Sequence, residues 1–332
     1  MRLTRDGKLL FLTRFIRLFS YGMLAVVLVL YLTSIGLSES QTGLLMTLTL
    51  AGDTAISLVL TTQADRIGRR RMLIVGSMLM AGAGLAFALT NNFAMLLLAG
   101  TIGVISPSGN EVGPFLPIEQ GALSEVVSAQ SRTGAFAWYA LTGALATATG
   151  SLAGGLLTAG LEHSSMTTVA SRRTVVSLDA VMGLVLAIVF SRLSTGTERQ
   201  SAPKSEGMAR ILGMGSSRAV VLRLSGLFAL DAFGGGFVGQ SFAAYWFYLR
   251  FGVSPATLGG IFFGANVFAG ISALVAPKIA DRIGLVRTMV FTHLPSNVLL
   301  ILVPLMPTLR LAILVLLIRF SISQMDVPTR QS

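Results

Sequence analysis

Residues 64–71 read ADRIGRRR, and this charged stretch decides the fold because residues 280–287 repeat it as ADRIGLVR. Asp65 and Asp281 are 216 positions apart, and each copy lies between two long apolar stretches. A charged loop that recurs at one fixed offset between apolar segments is a sign of internal duplication. The repeat therefore predicts a chain made of two structurally similar halves.

The composition places both halves in a membrane. Of the 332 residues, 53% are hydrophobic and 12% are charged, and the mean hydropathy is +0.76. Soluble globular proteins carry about 25% charged residues, roughly twice this share. Because the chain contains no cysteine, a disulfide, a zinc–thiolate site and a cysteine nucleophile are excluded. We therefore predict a polytopic membrane protein.

Apolar stretches long enough to cross a bilayer core of about 30 Å as α-helices occur throughout the chain. They are continuous and lack the period-two alternation of a membrane β-barrel, so the predicted fold class is all-α. The ten predicted spans are residues 15–35, 42–62, 72–90, 93–112, 133–159, 175–192, 220–249, 257–276, 288–306 and 309–325.

The positive charges indicate the orientation of these helices. With the N-terminus placed inside, 21 of the 25 lysines and arginines fall on one side of the membrane, which we call the basic side. The count includes Arg14 and Arg17, at the beginning of the first span. The positive-inside rule makes the basic side cytoplasmic. The formal charge of +11 therefore encodes topology, and nucleic-acid binding is not expected.

A polar stretch divides the chain into two bundles. Residues 193–218 contain proline, glycine and charged residues, and they separate six spans from the remaining four. We predict an N-terminal six-helix bundle over 1–192, a cytoplasmic linker over 193–218 and a C-terminal bundle of four helices over 219–332. The repeat offset places the end of a complete second half at residue 408, so about two helices are expected to be missing.

The two copies, the number of spans and the linker resemble the major facilitator superfamily, in which the loop between the second and third helices reads G-x-x-x-D-R-x-G-R-[RK]. The matching residues are Asp65, Arg66, Gly68, Arg69 and Arg70 in the first copy, and Asp281, Arg282 and Gly284 in the second. Thr61 replaces the first glycine, while Leu285 and Val286 stand where arginines follow in the pattern. The resemblance implies this superfamily's fold, a six-helix N-terminal bundle and an incomplete C-terminal bundle, and it implies secondary transport.

The charges of this loop suit a conformational latch. An aspartate at a helix end can cap the N-terminus of a neighbouring helix, and arginines bind carboxylates through their rigid guanidinium groups. The resemblance implies that such contacts break and re-form as the bundles move, with Glu111 receiving Arg69 or Arg70 and Glu119 as the alternative partner. The competing interpretation is a loop whose charges only fix topology.

A second resemblance lies on the fifth span. Residues 150–155, GSLAGG, resemble the G-P-x-x-G-G element of the superfamily's antiporters, with Gly150, Gly154 and Gly155 matching and Ser151 in place of the proline. This resemblance favours export over import. The competing interpretation is ordinary close packing of membrane helices at glycine residues.

Ionisable residues inside a span are energetically expensive and are functional candidates by default. Asp231 lies roughly 13 Å along the seventh span and Arg319 roughly 15 Å along the tenth, both near mid-depth. In the superfamily the first, fourth, seventh and tenth helices line the central cavity, so the resemblance places both residues there. We hypothesise that they pair with one another or hold a charged group of the substrate; the alternative is a static pair that fixes helix register.

Two further carboxylates lie within spans. Asp53 is near the middle of the second span and is a candidate proton carrier, although the equivalent residue of the second half is Ala269. The alternative for Asp53 is a hydrogen-bonded structural role. Asp179 is close in sequence to Arg172 and Arg173, and we predict an ion pair at the outer surface.

No enzyme motif is present, since the chain lacks a phosphate-binding loop, a G-x-S-x-G elbow and an HExxH helix. Without a nucleotide site, transport is expected to use an ion gradient. We predict a secondary transporter that works by alternating access and exports a small organic or drug-like molecule in exchange for protons. The alternatives are proton-coupled import, a non-transporting sensor and an inactive fragment.

The predicted partners are a small-molecule substrate, protons and the lipid bilayer, with the chain as a monomer. No cofactor is expected, and the two histidines, His163 and His293, are too far apart in sequence to indicate a metal site. The chain has 22 arginines and 3 lysines, which indicates a GC-rich bacterial genome. We therefore predict an integral protein of a bacterial inner membrane.

Overall fold

The computed structural model describes residues 3–106, 113–128, 131–198 and 238–325, together with the single residues 109, 223, 226, 227, 230 and 234. All regular secondary structure in these parts of the chain is helical, as predicted. The α-helices are α1 Arg5–Ser34, α2 Glu39–Ile67, α3 Arg69–Leu89, α4 Phe93–Ile102, α5 Phe115–Val126, α6 Arg132–His163, α7 Thr168–Phe190, α8 Gln240–Phe251, α9 Pro255–Ile283, α10 Leu285–Leu302 and α11 Leu309–Ser323.

Seven helices in the described ranges are long and apolar enough to cross a membrane, namely α1, α2, α3, α6, α7, α9 and α10 with the turn that follows it. The fourth predicted span, residues 93–112, is not one continuous helix. The helix α4 ends at Ile102 and α5 begins only at Phe115. Glycines at 103, 109 and 113 and a proline at 114 lie between them, and these residue types are the least favourable inside a helix.

The internal repeat is visible in the backbone. Gly68 separates α2 from α3 with a φ of 116°, and Gly284 separates α9 from α10 with a φ of 88°. Each glycine N–H caps the helix before it, bonding the carbonyl of Ala64 at 3.0 Å and of Ala280 at 2.8 Å respectively. A positive φ is easily adopted only by glycine. The two ADRIG copies therefore form the same turn in the two halves.

The halves meet mainly on the side opposite the basic side. There, Met23 and Val27 of α1 share one hydrophobic core with Phe247 of α8 and Leu258 of α9. Near the basic side, the corresponding core contains only residues of the N-terminal half, from Leu10 to Leu193. Within the described ranges, the molecule is therefore closed on the opposite side.

Candidate functional site

A polar stripe runs along the buried face of α1. Thr13, Arg17 and Ser20 follow one another at spacings of four and three residues, which places them on one face of the helix. None of the three side chains is exposed to solvent. Arg17 lies about 18 Å from the beginning of α1, so the stripe crosses the middle of the N-terminal half. This stripe organises the buried charges of that half.

Glu119 of α5 is held by four hydrogen bonds from two other helices. Thr13 donates at 2.7 Å, and Arg17 donates twice, at 2.9 and 2.6 Å. The Tyr139 hydroxyl of α6 donates the fourth, to Oε2. Both members of the Arg17–Glu119 pair are fully buried. Because every lone-pair region of this carboxylate is occupied, the group is a saturated ionic anchor between α1, α5 and α6.

The positions of Arg14 and Arg17 correct the sequence-based count of cations on the basic side. Both are buried inside the bundle, where the Arg14 guanidinium lies 4.3 Å from the centre of the Tyr139 ring. Gly143 provides the space, because a Cβ there would lie 2.7 Å from Arg14. The sequence pattern does not predict the Arg17–Glu119 centre, because Arg17 stands near the beginning of the first predicted span. The spacing of residues 13, 17 and 20 was the available signal.

Asp179 does not form the predicted ion pair at the outer surface. Its side chain is buried in the middle of α7, and its Oδ1 accepts a 2.6 Å hydrogen bond from Ser20. Arg172 instead bonds the Leu30 carbonyl at 2.7 Å, and Arg173 bonds the Asn91 side chain. Arg172 and Asp179 both face α1. They are about two helical turns, roughly 10 Å, apart along α7, which is too far for an ion pair.

Asp53 is the opposite of Glu119 in its hydrogen bonding. Its side chain is fully buried near the middle of α2, and neither oxygen has a hydrogen-bond partner among the described residues. It faces the interruption between α4 and α5, where a Cβ on Gly113 would lie 3.6 Å from Oδ1. Thr49, one turn earlier on α2, is also buried with an unpartnered hydroxyl. A buried carboxyl without a partner is a strong functional candidate.

In the first copy of the loop motif, Arg69 is the central residue. Its guanidinium contacts Asp65 at 3.0 Å, Glu125 of α5 at 3.5 Å and the Thr197 carbonyl at 3.2 Å. Glu119, the alternative partner considered above, is bound to Arg17 instead. Glu111 lies outside the described residues.

The segment that follows α7 docks on the same loop. Glu198 accepts hydrogen bonds from the backbone N–H groups of Arg69 at 2.7 Å and Arg70 at 3.2 Å. A carboxylate at a helix N-terminus satisfies free N–H groups and complements the helix dipole. Ser194 is tied to Asp6 of α1 through its backbone N–H, at 3.1 Å. The described beginning of the predicted linker, residues 193–198, is therefore packed against the N-terminal half.

The second copy of the motif has the same backbone but different surroundings. Asp281 and Arg282 are exposed, and neither forms an ion pair with a residue that the structure describes. Leu285 and Val286 occupy the positions where the first copy has Arg69 and Arg70, so the contacts of that copy have no equivalent. Arg66 of the first copy is also exposed.

The three glycines of the fifth-span element face two different helices. A Cβ on Gly150 would lie 2.0 Å from the Phe19 carbonyl oxygen, and one on Gly154 would lie 2.9 Å from the Met23 Cα, so both pack against α1. A Cβ on Gly155 would lie 2.3 Å from the Pro255 carbonyl oxygen of α9. Gly155 thus allows close contact between the two halves.

Of the two charges predicted for the central cavity, only Arg319 lies in the described part of the chain. Its guanidinium lies 4.7 Å from the centre of the Phe320 ring, and its buried Nε has no hydrogen-bond partner among the described residues. Asp231 lies outside the described residues. Their pairing stays a prediction.

Comparison with known proteins agrees with this architecture. A family model described as Major Facilitator Superfamily matches residues 10–327. An uncharacterized membrane protein of Saccharomyces cerevisiae, YJR124C, is 32% identical over an alignment covering 99% of this chain and 80% of that protein. The quinolone resistance protein NorA of Staphylococcus aureus is 29% identical over 117 residues, which cover 35% of this chain and 29% of NorA.

The fold is also that of solved transporters. A mutant of the nucleoside transporter NupG superposes with a TM-score of 0.73 and 12% identity, covering 98% of this chain and 80% of NupG. The bacterial origin predicted from composition stays a prediction, since the relative that matches nearly the whole chain is a yeast protein. The family model, the yeast relative and the repeated glycine turns agree on one conclusion: the chain belongs to the Major Facilitator Superfamily.

Proposed function

We propose that this transporter exports a small organic molecule in exchange for protons, by alternating access of the two halves. The observation that carries the proposal is the buried Asp53 side chain with two unpartnered oxygens. A carboxyl group that is sheltered from solvent and can change its protonation state within the cycle can couple transport to protons. Asp53 is buried, and no hydrogen bond from a described residue holds it in the ionised form.

The other buried carboxylates are less suited to this role. Glu119 receives four hydrogen bonds, two of them from Arg17, so its ionised form is strongly stabilised. Protonating Glu119 would leave the Arg17 guanidinium buried without its counter-ion. Asp179 accepts one hydrogen bond from Ser20 and is intermediate between the two. The contrast supports Asp53 as the proton carrier.

Export is supported by one comparison and by the antiporter-like element on α6. NorA, which resembles part of this chain, is named a quinolone resistance protein, and a membrane transporter confers drug resistance most directly by removing the drug from the cell. The glycines of the antiporter-like element lie at the contacts of α6 with α1 and α9. Import driven by the same gradient is the alternative outcome of the experiment below.

The loop motif is proposed to act as the conformational latch of the basic side. Arg69 with Asp65 and Glu125 joins the end of α2 to the end of α5, and Glu198 ties the segment after α7 to the beginning of α3. These contacts join helix ends of the N-terminal half to one another, and we infer that they control how those ends move when the basic side opens and closes. A substitution in this group is therefore expected to change the rate of the conformational cycle.

The decisive experiment measures quinolone movement in proteoliposomes with an imposed pH gradient, using the fluorescence of a quinolone as the readout. Asp53→Asn, which keeps the shape of a protonated carboxyl group, is expected to abolish accumulation driven by the gradient. It should retain exchange of quinolone across the membrane in the absence of a gradient. Asp179→Asn serves as the matched control, because it removes another buried carboxylate of the same half.

The outcomes separate the parts of the proposal. Full accumulation by Asp53→Asn would remove Asp53 from the coupling mechanism. Accumulation in the direction of the proton gradient would establish import in place of export. If the wild type shows no gradient-driven movement of any quinolone, quinolones are excluded as substrates. Asp231→Asn and Arg319→Gln test the charged cavity site, which is excluded if both variants keep the wild-type KM.

A further inference from the structure

A hydrogen-bonded chain crosses between the two halves near mid-depth. Gln240 of α8 donates from Nε2 to the Ser151 hydroxyl of α6 at 3.0 Å, and Ser151 donates to the Gly22 carbonyl of α1 at 3.2 Å. Asn266 of α9 donates from Nδ2 to Oε1 of Gln240 at 3.1 Å. The chain thus joins two helices of each half, and the Gln240 carboxamide is its central group.

The position of this chain along the membrane normal matches that of a transport site. Ser151, Gln240 and Asn266 each lie about 16–18 Å from the ends of their helices on the side opposite the basic side. Half the thickness of the hydrocarbon core is about 15 Å. Substrate sites in transporters with two structural repeats lie near this depth, between the repeats.

The Ser151–Gln240 bond depends on a residue that departs from the antiporter-like element. Ser151 occupies the position where that element has proline, and proline has no side-chain hydroxyl. Ser151 itself is fully buried, and Gln240 is 8% exposed. A Cβ on Gly109, in the interruption between α4 and α5, would lie 2.9 Å from Oε1 of Gln240. The carboxamide is therefore surrounded by both halves.

Alternating access requires this bond to break. The halves are closed on the opposite side in the structure, so opening that side moves α8 and α9 away from α1 and α6. Gln240 then loses Ser151, and a buried amide N–H without an acceptor is unfavourable. Ser151 then no longer occupies the acceptor position beside the Gln240 side-chain N–H. A hydrogen-bonding group of a bound molecule can take its place.

We propose that Gln240 is a substrate-binding residue that Ser151 holds while the opposite side is closed, and that it recognises an uncharged hydrogen-bonding group, a carbonyl or hydroxyl, of the substrate. A carboxamide offers both donors and an acceptor and carries no charge, so it can pair with such groups without leaving a buried charge unbalanced. Asn266 positions the carboxamide by bonding Oε1. This inference rests on the proposed transport function and names one part of its substrate site.

The first experiment requires no substrate. Because the chain contains no cysteine, a single Leu258→Cys substitution reports on the core between the halves, where Leu258 is fully buried. A membrane-impermeant maleimide is added from the side opposite the basic side. Ser151→Ala and Gln240→Met are each expected to increase the labelling rate about fivefold, the effect of losing one hydrogen bond.

Matched controls define the baseline. Thr158→Ala removes a buried hydroxyl from the same helix, but Thr158 donates only to the Gly154 carbonyl of α6, at 2.8 Å. It should leave the labelling rate unchanged. A His163→Cys protein, with its cysteine at the exposed end of α6, should react at the same rate in every background.

The second experiment separates substrate binding from helix packing. In the proteoliposome assay with a quinolone, Gln240→Met is expected to raise KM about tenfold, because the substrate loses its hydrogen-bond partner. Ser151→Ala should leave KM unchanged or lower it, because it frees Gln240 without altering it. A purely structural role predicts equal effects, since both variants remove the same bond.

The proposal is overturned if the two variants change KM equally or if neither changes the labelling of Leu258→Cys. If the wild type transports no quinolone, quinolones are excluded as substrates independently of Gln240, and the labelling experiment then decides whether Ser151 holds Gln240. Increased labelling in both variants would still support the release of Gln240 from Ser151, while unchanged labelling would refute it.

Discussion

Arg17 and Glu119 are 102 residues apart in sequence and form a two-point ion pair in which neither side chain is exposed. The pair joins the first helix of the bundle to the short helix α5, whose connection to α4 is irregular. Burying these two charged groups costs desolvation energy. The two short hydrogen bonds between them recover most of that cost. Its principal effect is to fix the position of α5.

Removing one partner of this pair should destabilise the protein. Glu119→Gln or Arg17→Met is expected to lower the free energy of unfolding by about 3–5 kcal/mol, because one charge stays buried without its counter-ion. The double variant Arg17→Met/Glu119→Leu should recover much of this loss. Thermal unfolding in detergent measures the effect. A double variant less stable than both single variants would contradict this account.

Loss of the hydrogen bond from Ser20 to Asp179 should destabilise the protein less than loss of one partner of the Arg17–Glu119 pair. Ser20→Ala leaves Oδ1 of Asp179 buried without a donor, and a loss of about 1–3 kcal/mol is expected. Ser77→Ala is the control, because Ser77 is equally buried but bonds the Leu73 carbonyl of its own helix at 2.8 Å. Comparable losses in thermal stability for the two variants would mean that the Ser20–Asp179 bond contributes nothing specific.

The contact of α6 with α9 predicts opposite effects for two glycines of one helix. Gly155→Ala would place a Cβ 2.3 Å from the Pro255 carbonyl oxygen, so the halves must separate locally, at a cost of about 1–3 kcal/mol. Around Gly160 no atom lies within 4 Å of the added Cβ. Gly160→Ala should therefore stabilise the protein by about 0.5–1 kcal/mol. Equal melting temperatures would show that Gly155 is not a close contact.

The asymmetry of the two ADRIG copies predicts unequal sensitivity to the same substitution. Arg69→Gln loses contacts with Asp65, Glu125 and the Thr197 carbonyl, and a loss of about 1–3 kcal/mol is expected. Arg282→Gln changes an exposed side chain and should stay within about 0.5 kcal/mol of the wild type. Thermal unfolding of both variants provides the comparison. Equal losses would indicate that Arg282 has a contact comparable to those of Arg69.

The sequence allowed the fold class, the repeat and most helix positions to be predicted, because these depend on apolar run length and on the glycine turns. The buried centre of the N-terminal half could not be predicted in the same way. Arg17 was assigned to the basic side since it stands near the beginning of a span, but α1 begins at Arg5 and brings Arg17 to mid-depth. Helix ends in flanking polar sequence are not fixed by hydropathy.

Individual contacts were harder still to predict. Asp179 lies seven residues after Arg172, which is about two turns of α7, so its carboxylate reaches Ser20 of α1 and not the arginine. Sequence proximity indicated the wrong partner because helical neighbours are three or four residues apart. The cap that Glu198 forms on α3 joins residues 129 positions apart, and no local pattern marks such a pairing.

The interruption between α4 and α5 has a mechanical consequence. With ten residues, α4 is about 15 Å long, so its last free carbonyls lie at mid-membrane, where irregular backbone is tolerated only inside protein or beside water. Val104, Ile105 and Ser106 are buried, so the protein itself shields them. The fourth predicted span is therefore not one continuous rod, and Asp53 lies beside its irregular part. A change of charge at that carboxyl would act directly on the irregular backbone beside it.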